Sequence, residues 1–319
     1  MSMATRIIAL APSWQRPSGG VRKIYRHVDV LNDAGFDASV GHRETGFRCT
    51  WFENQTRVSH PPEIWPPRAS DILLVPEVMA WEVVRLTPGI RKVIFNQNPY
   101  ETFLGRNQES EPPPYLNPDV LATLVVSENS RAYLQYAFPN HSVYRIRNGI
   151  DAKLFRFEAS KKPQVAYMER KKPTDVRQLL ALLHARGALD GVDVINIQNR
   201  SEAETAGILR ESSIFLSFSS QEGLAMPPME ALACGCAVVG YDGLGCREFF
   251  MEPHAFPVPQ EDVLQFARAV EQTIAHMRKD SAAFMRQREH ASAFMLQEYS
   301  QANESSDIIA TWRDIVARV

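Results

Sequence analysis

Little in this chain leans in one direction. Acidic and basic residues nearly cancel, leaving a formal net charge of −2, and both signs are scattered. No basic field is present to recruit nucleic acid or an anionic membrane. Cysteine is scarce. Cys49, Cys234, Cys236 and Cys246 are the four present, and their spacing matches neither a zinc site nor a redox motif. Cys234 and Cys236 are too close for a comfortable disulfide and sit among apolar residues, so they read as buried, reduced thiols, which implies a reducing compartment. No stretch approaches the roughly 18 apolar residues of a membrane-spanning helix. The run Ile7-Ile-Ala-Leu-Ala is soon interrupted by Pro12, Gln15 and Arg16, and reads as a first strand rather than a secretory signal. These absences lead to the expectation of a soluble, cytoplasmic protein. There is no phosphate loop of the Gly-Lys-Ser/Thr kind and no Gly-x-Gly-x-x-Gly, which weakens nucleotide hydrolase and dinucleotide oxidoreductase readings. His27, His42, His60 and His141 form no metal-ligand spacing and read as surface or structural residues. No internal repeat or long low-complexity run is visible.

What is present is ordinary globular material, with 45% hydrophobic and 23% charged residues in 319. That length exceeds what one core usually serves and points to about two domains. The first strand is followed by a loop with Ser18-Gly19-Gly20. Val21, Ile24, Val28 and Leu31 then recur at helical spacing, and Gly35 ends that helix. Strands are expected at Phe36–Val40, Asp71–Val75, Arg91–Phe95, Ala122–Val126 and Ser142–Ile146, with helical segments around Val78–Leu86 and Glu128–Ala137. A second set has strands at Gln164–Met168, Val192–Ile197, Ile214–Phe218 and Ala237–Tyr241. Its helices are expected near 174–186, 202–211 and 227–234, and three more follow near 261–279, 281–298 and 304–317. Strands alternating with helices predict parallel sheets covered on both faces. The reading is α/β, with two Rossmann-like, doubly wound domains and a boundary near 155, bracketed by Asn148-Gly149 and Pro163. An irregular stretch from Asn98 to Pro118 lies after a strand end, where such sheets bind ligands. It reads equally well as an acceptor-binding lid or as an idle surface loop.

The informative segment is Ser219-Ser-Gln-Glu-Gly-Leu-Ala-Met-Pro-Pro-Met-Glu-Ala-Leu-Ala-Cys-Gly-Cys-Ala-Val-Val-Gly240. It sets Glu222 and Glu230 in a stretch otherwise suited to burial. Carboxylates are rarely buried without a partner. The strand Ile214–Phe218 aims a loop, 219–226, at the carboxyl edge of its sheet, and Pro227-Pro228 suits the first turn of the next helix. Glu230 is then expected in that first turn. Unpaired N–H groups at a helix start welcome an anion, so a polyhydroxylated ligand with a phosphate tail matches two flanking carboxylates.

This segment resembles the signature of retaining glycosyltransferases of family four, which have the GT-B fold: two glutamates separated by seven residues, a small-residue helix, glycine and a strand. Ser18-Gly19-Gly20, Ser127-Glu-Asn-Ser-Arg, and Val143 to Asp151 with Phe155 are similar to further segments of the family in the same order. The resemblance implies two Rossmann-like domains facing each other across a cleft. Residues 1–155, with a last helix at about 300–319, would bind the acceptor, and residues 156–299 the nucleotide sugar. It implies transfer of a hexosyl or deoxyhexosyl group to an acceptor hydroxyl, with retention and without a metal or other cofactor. The absence of any Asp-x-Asp triplet agrees with that, since such a triplet marks the metal-bridged site of the other main glycosyltransferase fold. By matching position, Glu222 would hold hydroxyls of the donor sugar and Glu230 those of the ribose. The amides of Gly223 and Leu224 would meet the diphosphate, and Ala225 stands where the family usually has glycine. Arg170 matches the family's arginine. The lysine is displaced to Lys171 or Lys172, and acidic Asp175 occupies its usual place. Gly19 and Gly20 would approach the ligand from the other domain. Where the family often has a histidine, this chain reads Phe95-Asn-Gln-Asn98, with Asn96 or Asn98 as replacement donors.

The expected partners are a nucleotide sugar and a glycan, lipid-linked or small-molecule acceptor, not nucleic acid. The Arg22, Lys23 and Arg26 face of the first helix hints at peripheral contact with an anionic surface, such as the inner face of the membrane, although three charges on one helix are usually just solvated. The alternatives are a catalytically degenerate GT-B protein that binds a nucleotide sugar or a partner enzyme, a nucleotide-sugar epimerase, and a phosphorylase.

Overall fold

The computed structural model describes residues 5–106, 111–169 and 171–318. Arg170 therefore lies outside the described residues, as does the 107–110 part of the irregular stretch. The chain divides into two compact units: residues up to Asn148 together with Glu304 onward, and Gly149–Asn303.

The first unit is a seven-stranded sheet in the order β3-β2-β1-β4-β5-β6-β7. Its strands are β1 (Arg6–Leu10), β2 (Asp37–Gly41), β3 (Val58–Ser59), β4 (Ile72–Pro76), β5 (Arg91–Asn96), β6 (Val120–Val125) and β7 (Val143–Arg145), with helices α1 (Gly19–Asp33), α2 (Glu77–Leu86), α3 (Glu128–Ala137) and α9 (Gln301–Ala317). Every pairing is parallel, and the strands read as apolar runs because both faces are covered. Ser18 caps α1 by accepting the Val21 N–H, and Val21, Ile24, Val28 and Leu31 are buried. Helix α9 packs against α1. Its Trp312 is fully buried and donates from Nε1 to His27 Nε2 at 2.6 Å. Burial lowers the His27 pKa to about 3, so the ring is neutral and accepts that bond.

The basic face expected on α1 is engaged within the unit. Lys23 and Arg26 both reach Glu304 of α9, at 2.7 and 3.6 Å, and Arg22 lies over the Phe52 ring. These cations tie two helices and a loop together. The irregular stretch contains two 3-10 turns, Pro99–Glu101 and Pro114–Leu116. It is fastened in part by the Trp81 indole, which donates to the Thr102 carbonyl at 3.1 Å.

The second unit has a five-stranded sheet in the order β12-β11-β10-β8-β9. Its strands are β8 (Lys162–Tyr167), β9 (Asp193–Asn196), β10 (Ser212–Glu222), β11 (Ala237–Leu244) and β12 (Ala255–Pro257). Its helices are α4 (Pro173–Ala185), α5 (Glu202–Glu211), α6 (Met226–Ala233), α7 (Val263–Lys279) and α8 (Ser281–Glu298). The core joins β8, β10 and β11 to α4 and α7 through Val165, Leu179, Leu216, Val239 and Phe266. All four cysteines are free and buried. Lys161 closes the end of α6, donating to the carbonyls of Cys234 and Leu209 at 2.7 and 3.0 Å. Strands β3 and β12 were not expected from sequence, since two or three residues at a sheet edge carry no periodicity. Among the described residues no helix is long and apolar enough to cross a membrane.

Candidate active site

In the second sheet the chain leaves β8 for β9 on one side and returns to β10 on the other. The order reverses between β8 and β10, which is where open α/β sheets bind ligands. An open pocket lies there, lined in part by Met168, Lys171, Ser217, Ser219, Glu222 and Pro227. Phe215 and Phe218 of β10 also line it, and Phe218 packs edge-on to Tyr167 and Tyr241 of the core.

The segment expected as a loop is strand for half its length. Strand β10 continues past Phe218 to Glu222 through a register shift against β11 between Ser219 and Glu222, with Gln221 at φ 47°. Four polar residues read as loop, but Ser219 and Glu222 pair with Asp242 and Leu244 of β11 on either side of the shift. Glu222 is thus held at the end of a paired strand. Beyond it, Gly223, Leu224 and Ala225 are buried. Ala225 has φ −77° and ψ 122°, ordinary extended backbone, so alanine in place of glycine strains nothing there. Its N–H donates to Cys246 Sγ at 3.3 Å and is already used within the fold.

Helix α6 starts at Met226, which puts Glu230 in the second turn rather than the first. Pro227 and Pro228 have no N–H, so the helix start offers fewer free donors than a typical one. The first residue of the helix, Met226, and the buried Gly223 and Leu224 before it keep their N–H groups. Lys171 Nζ stands 2.9 Å from a Glu222 carboxylate oxygen, with the two side chains 32% and 17% exposed. Lys172 turns away and meets Glu261 at 2.8 Å. Asp175, in the first turn of α4, accepts the Tyr241 hydroxyl at 3.0 Å. The acidic residue where a lysine was expected therefore anchors the sheet to α4.

Two residues the sequence reading passed over shape this site. A Cβ on Gly245 would lie 2.0 Å from the Gly223 carbonyl oxygen and 2.4 Å from that of Glu222. The turn after β11 can approach the Glu222 backbone so closely only with glycine there. Cys246 beside it receives the Ala225 N–H, and burial pushes its thiol well above the ordinary range, keeping it protonated. The available signal was Gly243-Leu-Gly245 at the end of a strand.

The residues expected from the first unit sit at its own carboxyl edge. Gly19 and Gly20 begin α1. A Cβ on Gly20 would come within 3.2 Å of Gln97 Nε2, whereas one on Gly19 would meet nothing within 4 Å. Asn98 caps a 3-10 turn, accepting the Tyr100 N–H at 3.3 Å and donating to Glu101 at 3.1 Å. Asn96 is buried, and its amide donates to Thr102 and Tyr115 at 2.9 and 2.7 Å. Both asparagines make bonds within their own turn or strand end. His42 is likewise structural, bonded to the Tyr25 hydroxyl at 2.8 Å.

Residues 172–288 match the family model described as Glycosyl transferases group 1. Over 184 residues the chain is 27% identical to an alpha-1,6-glucosyltransferase of Actinobacillus pleuropneumoniae serotype 7 (strain AP76), covering 55% of this chain and 54% of that protein. The matched region thus spans about half the length of that relative. Among solved structures, sucrose-phosphate synthase from Thermosynechococcus elongatus superposes with a TM-score of 0.69 at 14% identity, covering 99% of this chain and all of that one. Anabaena HepE, solved in complex with UDP and glucose, superposes with a TM-score of 0.67 at 12% identity, covering 97% and 99%. Two parallel-sheet units and these superpositions establish the conclusion that the chain has the GT-B fold.

Proposed function

We propose that the protein is a glycosyltransferase that moves a hexosyl or deoxyhexosyl group from a nucleoside-diphosphate sugar to an acceptor hydroxyl. The observation that carries this is the Lys171–Glu222 pair, 2.9 Å apart at the pocket between β8 and β10, inside or beside the segment that matches the glycosyltransferase model. An ammonium suits the diphosphate and a carboxylate suits sugar hydroxyls, so one ligand would engage both. The Gly149–Asn303 unit holds the nucleotide sugar and the other unit takes the acceptor. Glu222 binds donor-sugar hydroxyls, Glu230 the ribose, and the amides of Gly223 and Leu224 the diphosphate. Lys171, reaching the pocket, takes the displaced lysine's role in preference to Lys172, and Arg170 is assigned to the diphosphate by its sequence position.

In the step itself the bond from the anomeric carbon to the diphosphate oxygen breaks. The acceptor oxygen bonds that carbon from the same face, giving retention, and its proton passes to a departing phosphate oxygen. Lys171 and Arg170 offset the charge that develops on the leaving group. Both glutamates position the donor, and that positioning supplies much of the rate. No Asp-x-Asp is present in the sequence, and the reaction is proposed to proceed without a metal, on a glycan, lipid-linked or small-molecule acceptor in the cytoplasm.

The test is nucleoside-diphosphate release from UDP-, ADP- and GDP-sugars, in EDTA, with and without an acceptor panel, followed by NMR of the product anomer. UDP-glucose comes first because a structural neighbour was solved with UDP and glucose. Release that persists in EDTA and falls in Glu222→Ala is expected. No melting shift and no turnover with any sugar nucleotide would overturn the reading. An inverted product would overturn retention alone.

A further inference from the structure

Three strand ends of the first unit converge. Strand β1 leads to Gly20, β4 to Glu77 and β5 to Gln97, and the strand order reverses between β1 and β4, which makes this the unit's own switch point. Gln97 Nε2 donates to the Gly20 carbonyl at 3.1 Å. The approach is so close that a Cβ on Gly20 would press on the same amide nitrogen. Gly20 is therefore matched to Gln97, while Gly19 stays open. Behind Gln97, the buried Glu77 carboxylate accepts the backbone N–H groups of Gln97 and Asn98, the latter at 2.9 Å. Glu77 is 6% exposed and forms no ion pair with a cation among the described residues. A buried carboxylate with only N–H partners is costly to keep, and here it clamps the two residues at a strand end. Gln97 itself is only half-buried, and its Oε1 accepts no hydrogen bond from the described residues.

We propose that Gln97, clamped by Glu77, is a positioning residue of the transfer reaction that sets the Gly19–Gly20 turn at the start of α1. The inference rests on the glycosyltransferase reading above. Beside the Ser18 cap and the buried Val21, the side-chain amide of Gln97 is a further tie on this turn, reaching the Gly20 carbonyl from another strand end. Removing that amide loosens the turn without emptying a core.

The experiment compares Gln97→Ala, Gln97→Glu and Gln97→His with wild type, using sugar-nucleotide turnover, nucleoside-diphosphate affinity by calorimetry and thermal melting. Gln97→Ala is expected to melt as wild type does and to hold the nucleoside diphosphate within about twofold, while kcat/KM falls by about tenfold or more. Gln97→Glu, whose carboxylate cannot donate to a carbonyl, falls similarly. Gln97→His keeps an N–H donor of comparable reach and recovers most of the rate. Wild-type turnover in Gln97→Ala, or parallel loss of melting temperature, nucleotide affinity and rate in all three variants, overturns the inference. The donor used is whichever of the UDP-, ADP- and GDP-sugars the wild type turns over; a wild-type protein that neither binds nor turns over any of them overturns the glycosyltransferase reading beneath it, and this inference with it.

Discussion

The carboxyl edges of the two sheets begin from the same plan, a reversal of strand order with a helix starting on either side, and they are finished differently. In the second unit the edge ends in opposite charges that face a pocket: Glu222 on β10 and Lys171 beyond β8, with Pro227-Pro228 thinning the helix amides between them. In the first unit the edge is closed on itself. Asn98 caps its own turn, Asn96 is buried under Thr102 and Tyr115, Gln97 is spent on Gly20, and Glu77 has sunk beneath them. The two glutamates make the contrast concrete. Glu222 stays partly exposed beside an ammonium, whereas Glu77 is buried with only N–H donors, so burial raises its pKa from 4.5 to about 7. A charged, water-accessible edge suits a diphosphate. An edge of internal amide bonds holds a backbone turn in place.

That contrast can be broken most sharply at Glu222. Glu222→Ala is expected to cut sugar transfer by about 10²- to 10³-fold, the usual loss when one positioned polar group leaves a reacting centre. Lys171→Ala should fall with it, because the two groups share one ligand. Turnover assays decide this, and a Glu222→Ala enzyme near wild-type rate would dissolve the distinction between the edges.

The next largest effect belongs to Glu77 and is read in stability. Folding raises its pKa, so between pH 4.5 and about 7 the unfolded chain releases a proton that the folded one keeps. Stability attributable to this group is highest below that window, falls as pH rises through it, and stays reduced above. The fall is at most about 3 kcal/mol. Glu77→Gln cannot titrate, so its melting temperature relative to wild type should improve from pH 4.5 to pH 8. A constant difference across that range would mean Glu77 is ionised throughout.

Gly245→Ala sharpens the comparison from the backbone side. Its Cβ would collide with the Gly223 and Glu222 carbonyls, and overpacking of this kind costs about 1–3 kcal/mol. The displaced segment carries the proposed donor contacts, so nucleotide affinity should fall together with the melting temperature. Unchanged affinity would show that the 222–225 backbone does not touch the nucleotide. The smallest effect is expected for Lys172→Ala, whose partner Glu261 is 74% exposed. Such surface pairs contribute about 0–1 kcal/mol, and a larger loss of turnover here than in Lys171→Ala would reverse the choice between the two lysines.

Most helices and internal strands were legible because periodic burial writes itself into the residue order. The α1 stripe of Val21, Ile24, Val28 and Leu31 and the apolar runs of β4, β5 and β10 are examples. Less legible was anything that depends on a neighbour distant in sequence. Ser219-Ser-Gln-Glu222 has the composition of a loop and becomes strand because β11 pairs with it through a register shift. Pro227-Pro228 marked a helix start correctly, but the start at Met226 moves Glu230 into the second turn. The Arg22, Lys23 and Arg26 face read as solvated until Glu304, far along the chain, accounted for two of its charges.

By itself the sequence determined two sets of alternating strands and helices, and a segment with Glu222 and Glu230 ending in a glycine turn and a strand. Those features rest on local periodicity and on which residues tolerate a helix start or a tight turn. Only the tertiary structure decided which lysine reaches Glu222, why Gly245 must be glycine, and that Glu77 and Gln97 share a clamp. Each of these is a distance between residues brought together by sheet pairing and burial, and such distances are not carried by residue order.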